Sequence, residues 1–252
     1  MLAPHEPDGD TFTGWIRQYD LEDDSELKWF ASAKIANLTT NTLCHDCNTQ
    51  WMSRLEGLAK PILEPIILGR GATLRAIDQI VVGTWAVKTV IVLQSTFPEG
   101  VRFLQTERQI VKEQSRPPTT TRVFIAGVLE PFAGLGYGEI GFLDGEDDLH
   151  ARYQFSTLQV GHLVVQVVRD ATPPEHIDSI KSVEVPRELD VPSGVTISIF
   201  PPLPSIEWPP TRVLKGEALV GFMRRGTAVP NNWLVPSRYE GPDQRLRRPN
   251  TT

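Results

Sequence analysis

IDQIVVGTWAVKTVIVLQS, residues 77 to 95, is the longest apolar run in the chain, and its reading decides the fold. As a membrane span it would carry Asp78 near one end and Lys88 in its middle, and a charge at the centre of a span costs roughly 3 kcal/mol. We therefore read it as a buried helix of a soluble protein, running from about Leu74 to Ser95 with Thr73 as its N-cap. Apolar residues cover most of its circumference, so it needs cover from more than one direction. That requirement predicts direct packing of the β-rich remainder against the Trp85 helix.

Upstream, Met52, Leu55, Ala59, Ile62 and Ile66 recur at the three-and-four spacing of an amphipathic helix. Pro61 removes a backbone donor and predicts a break near Lys60, giving two short helices, with Gly69 and Gly71 forming the turn that follows. Downstream of Pro98 the pattern becomes alternating. Strands are expected at VRFLQ (101–105), RVFIAGVL (122–129), GEIGFL (138–143), ARYQFST (151–157), HLVVQVV (162–168) and GVTISIF (194–200). TERQIVKEQ (106–114) reads as a short surface helix, PPLPSIEWPP (201–210) as a proline-rich strap, Gly216 to Arg225 as a last helix and PDQRLRRPNTT as a frayed basic tail.

The expected fold class is therefore α+β. A small knuckle with helices (about 50–95) packs on a mainly antiparallel β-sheet region (about 100–200), followed by an irregular Pro-rich C-terminal strap. Four regions result: an acidic, partly ordered segment at 1–40, the knuckle and helices at 41–95, the β-rich part at 96–205, and the strap, short helix and tail at 206–252.

The net charge is −6, and residues 1–30 account for all of it, with eight acids against Arg17 and Lys28. The other 222 residues balance, so acidity does not exclude a nucleic-acid surface, although no strongly basic footprint marks one. The segment MLAPHEPDGD lacks the basic and apolar regions of a secretory signal. Two cysteines in 252 residues make no disulfide scaffold, which points to a reducing compartment and a cytoplasmic location.

Both cysteines fall in TLCHDCNTQWMSRLE, residues 42–56, as Cys44 and Cys47. A C-x-x-C turn lets two thiolates converge on one zinc ion, but a structural zinc needs four ligands. The five histidines (His5, His45, His150, His162, His176) show no pairing spacing that would complete the set. A thioredoxin-like redox role would need a preceding βαβ pattern, which residues 1–43 do not show.

NTLCHDCNTQWMSRLEGLAKPILEPIILG followed by WAVKTVIVL resembles the second half of a bacterial, largely actinobacterial or phage-type, group of HNH-endonuclease-like proteins. That group has a C-x-x-C-N-x-x-W-M knuckle, then a Leu-Glu helix, then a Trp-Ala-x-Lys-Thr helix. The likeness covers roughly residues 37–95, and QFSTLQVGHLVVQVV shares it more loosely. It implies a ββα-metal nuclease that hydrolyses phosphodiesters with zinc for structure and magnesium or a similar ion for catalysis. Position by position, Cys44 and Cys47 match the second zinc pair. Asn48 matches the residue after it, and Asn41, with Asn37 competing, matches the structural asparagine of the motif. The group also carries an upstream C-x-x-C and an acidic-His-x-x-Pro element bearing the general base. Residues 1–43 contain no cysteine, PHEP (4–7) is a faint echo, and the base has no convincing counterpart. An in-frame upstream segment supplying that element would make the chain part of a nuclease, and a stop codon close upstream would exclude this.

Structural readings stand beside each functional one. Asn48 also suits a helix N-cap, and Lys88 also suits pairing with a carboxylate rather than contact with phosphate. Trp51 and Trp85 read as core, His150 and His162 as hydrogen-bonded strand residues, EDDSE as a solvated face and GLGYGEIG (134–141) as a hairpin turn. Two function classes result: an HNH-type endonuclease, catalytically incomplete as given, or a non-catalytic nucleic-acid or protein interaction module working through the β-rich region. Nucleic acid, a protein partner or a homodimer are the partners left open; a membrane is not among them.

Overall fold

A computed structural model describes residues 12–16, 28–33, 47–94, 102–143, 149–172, 196–214 and 234–236, and the chain is an α+β fold. The apolar run forms helix α2, Ala76–Gln94, preceded by α1 (Ser53–Ile67) and followed by α3 (Gln105–Gln114). Val82, Ala86, Val87 and Val90 of α2 are each no more than 2% exposed. They join one core cluster with Leu63 and Ile66 of α1 and with Val123, Ile125, Val165 and Ile199 of the sheet. The helix is long and apolar enough to cross a membrane, yet it packs as a core helix.

The predicted break at Pro61 does not occur: α1 runs unbroken for 15 residues with Pro61 and Pro65 inside it. Leu55, Ala59, Leu63 and Ile66 form the buried stripe, and Pro61 projects from the opposite, exposed side. The backbone carbonyl that Pro61 leaves without an intrahelical partner belongs to Gly57, also exposed, where water can take its place.

Thr73 is not an N-cap. It lies in β3 (Ala72–Arg75), antiparallel to β7 (Ser205–Trp208), and its Oγ1 donates to the Glu207 carboxylate at 2.9 Å. The strap expected to be irregular therefore contributes a strand. Helix α2 begins at Ala76, and Asp78 in its first turn reaches back: its carboxylate accepts the Arg75 backbone N–H at 3.0 Å and the Arg75 Nε–H at 2.9 Å. Those hydrogen bonds hold the Asp78 carboxyl below the usual carboxylate range. The stability this adds is present above the ordinary carboxylate pKa and is lost as pH falls through the lowered value. Asp78→Asn should flatten the acid limb of a plot of melting temperature against pH; an unchanged limb would show that the contact adds nothing.

Gln79, fully buried, ties the strap to the helix. Its Nε2 donates to the Leu74 and Leu203 carbonyls at 3.0 and 2.9 Å, and its Oε1 accepts the Leu203 N–H at 2.8 Å. Gln79→Leu removes all three bonds at nearly constant volume and should cost about 2–3 kcal/mol by denaturant titration. A loss below 0.5 kcal/mol, on the order of an ordinary surface change, would rule the clamp out.

Residues 102–105 of VRFLQ do not form a strand. Phe103 is buried and Glu107 accepts the Leu104 N–H at 2.7 Å, so the chain turns into α3 at Gln105, and the expected surface helix starts one residue early. The remaining expected strands are fewer and longer. Residues 122–129 and 138–143 merge into β4 (Thr121–Leu143), and 151–157 and 162–168 merge into β5 (Leu149–Asp170), paired antiparallel. GLGYGEIG is consequently no hairpin turn: residues 134–141 pair with 159–152 along the ladder.

The irregularity falls elsewhere. Gly127 pairs with Leu163 and Phe132 with Gly161, so residues 128–131, including Pro131, face His162 alone. Proline tolerates such a place because no ladder donor is needed there. Strand β5 also folds back on itself. Gln166 Nε2 donates to Thr157 Oγ1 at 3.0 Å, and Arg169 Nη1 to Gln154 Oε1 at 2.9 Å. An extended strand would hold residues nine apart at roughly 30 Å. Both pairs are centred between Gly161 and His162, and Gly161 has φ +57°.

Strand β6 (Thr196–Phe200) pairs antiparallel with β4, β8 (Arg212–Leu214) touches β4 in parallel at Val128, and β9 (Leu234–Pro236) pairs with β8. Near the N-terminus β1 (Phe12–Ile16) and β2 (Lys28–Ala33) form an antiparallel pair. The helix expected at 216–225 and the basic tail lie outside the described residues.

Candidate functional site: the cysteine knuckle and its helix pair

Of the four residues singled out for metal or catalytic roles, Cys47 and Asn48 are described, while Asn41 and Cys44 lie outside the described residues. Cys47 is half-buried and already has helical angles, φ −62° and ψ −45°. Asn48 opens a π-helical turn, Asn48–Met52, that runs directly into α1. The N-cap reading of Asn48 is therefore corrected: the residue sits inside helical backbone with an exposed side chain, and no side-chain capping bond closes the turn. A π-turn inserts one residue into the helical repeat. Within it Met52 is buried and Trp51 packs partly buried against the core, and beyond it Leu55 is buried.

The residues that carry the helical part of the resemblance meet one another in space. Glu56 of the Leu-Glu helix accepts from Lys88 of the Trp-Ala-x-Lys-Thr helix at 2.6 Å, with the Lys88 side chain 8% exposed and that of Glu56 55% exposed. Lys88 thus pairs with a carboxylate. Thr89 Oγ1 donates to the Trp85 carbonyl one turn back at 2.8 Å, and Thr84 Oγ1 bonds the Ile80 carbonyl at 2.7 Å and the Ser115 carbonyl at 3.0 Å.

Trp85, half-buried, forms one wall of a groove of about 560 Å³ between α1 and α2. Ser53, Glu56, Lys60 and Glu64 bring polar groups to its rim, and Leu63 and Ile67 give it an apolar floor. Hydrogen-bonding and ion-pairing groups beside an aromatic wall can hold a ligand or a side chain. No nucleophile paired with a base is present among the groove residues.

Among the described residues no three His, Cys, Asp or Glu side chains come together where they could hold a metal ion. By themselves the described residues do not supply the four-ligand set of a structural zinc. His162 takes the structural role expected of it, with Nδ1 3.0 Å from the Val128 carbonyl oxygen beside the β4 irregularity. His150 is on β5.

One buried constellation had no sequence signal. Glu107 and Arg169, 4% and 3% exposed, pair at 2.8 Å between α3 and β5. Thr120 Oγ1 donates to the same carboxylate at 2.6 Å, and the guanidinium lies 4.9 Å from the centre of the Phe103 ring. Every member is committed to another member or to backbone, which marks it as structural. In comparisons with protein-family models, curated proteins and solved structures, the chain finds no match.

The Lys88 contact carries its own test. Lys88→Met removes a buried ammonium at similar volume and should leave the melting temperature unchanged or slightly raised, because burial of a charge offsets much of what its pairing returns. Glu56→Gln leaves that ammonium without its counter-charge and should lower the melting temperature. The reverse order would overturn this account of the pair.

Proposed function

We propose that the chain is an HNH-endonuclease-like protein, catalytically incomplete as given, whose knuckle and helix pair form a structural unit engaging nucleic acid by binding rather than cutting. The observation that supports this reading is the Glu56–Lys88 contact. Two residues from separate parts of the resemblance are partners in one interface. In this reading Cys44 and Cys47 are thiolate ligands for zinc, and magnesium or a similar ion would serve only where a general base accompanies Asn41 and Asn48. The cysteine usage favours the cytoplasm.

Purified chain incubated with supercoiled plasmid and magnesium, manganese or zinc is expected to produce no nicking while retarding the DNA in a gel. Nicking abolished by a chelator would overturn the non-cutting part, and the absence of any retardation at low salt would overturn the binding part. Elemental analysis should return substoichiometric zinc. One zinc per chain would mean that two further ligands complete the site, and one zinc per two chains would mean that copies share it.

A further inference from the structure

We draw no further inference here: the strongest candidate, the groove between α1 and α2 walled by Trp85 and rimmed by Glu56 and Lys60, has an apolar floor with nothing among the described residues to show what covers it.

Discussion

Gly161→Ala should destabilise the protein by about 2–5 kcal/mol. Two separate costs add. The backbone at Gly161 has φ +57°, a left-handed conformation that costs a residue bearing a Cβ roughly 1–2 kcal/mol. A Cβ placed there would also overlap the Ile67 carbonyl oxygen and stand 2.9 Å from the Ile67 Cγ2, at the last residue of α1. Backbone cannot rotate away as a flexible side chain would, so helix and strand must separate, at an overpacking cost of about 1–3 kcal/mol. For a chain of this size the sum corresponds to a fall in melting temperature of roughly 4–20 °C. Gly57→Ala is the matched control, since a Cβ there meets nothing within 4 Å on an exposed helical site. It should stabilise by about 0.5–1 kcal/mol. Equal melting temperatures for the two variants would refute the close approach of β5 to α1.

Arg169→Met should cost about 3–5 kcal/mol, because it leaves the Glu107 carboxylate buried with only Leu104 N–H and Thr120 Oγ1 as donors. The stacking of the guanidinium on Phe103 is lost as well, a contribution of roughly 1 kcal/mol. The informative comparison is the double variant Arg169→Met/Glu107→Leu, which removes both charges together. Denaturant titration should find it less destabilised than the sum of the two single changes, by 0.5–3 kcal/mol, the order of coupling between residues in contact. Strict additivity would mean that the two groups do not depend on each other, and the ion pair would then not be what fastens α3 to the sheet.

What was legible in the sequence follows from the range of the interactions that settle each element. Helix α2 and the surface helix α3 were readable within one or two residues at each end, because periodicity and local polar residues specify them. Thr73 was misplaced because its true partner, Glu207, lies 134 residues away, and no local pattern announces a two-stranded sheet closed over that distance. The glycines of residues 134–141 looked like a turn because glycine suits one, but a partner strand can hold glycine extended just as well. Pro61 misled for a geometric reason: proline breaks a helix where the freed carbonyl is buried, and here that carbonyl faces solvent.

The candidate site shows the same division. The pairing of Lys88 with a carboxylate was legible from local pattern, which also singled out Cys47 and Asn48, whereas the structural pair Glu107 and Arg169, 62 residues apart, emerges only from the fold. The π-turn at Asn48–Met52 also escaped, because a single inserted residue leaves the apolar spacing from Met52 onward intact.

The two irregularities that face each other across β4 and β5, residues 128–131 on one strand and Gly161–His162 on the other, act together as a ruler for the hairpin. A shift of pairing by one residue would carry Gly161 off its left-handed position and move a side chain against the end of α1. The two strands are therefore fixed in relative length: a ladder pair can be added or removed only in step on both. Single-residue insertions or deletions should accordingly be tolerated least between Gly161 and the ion pair at Arg169.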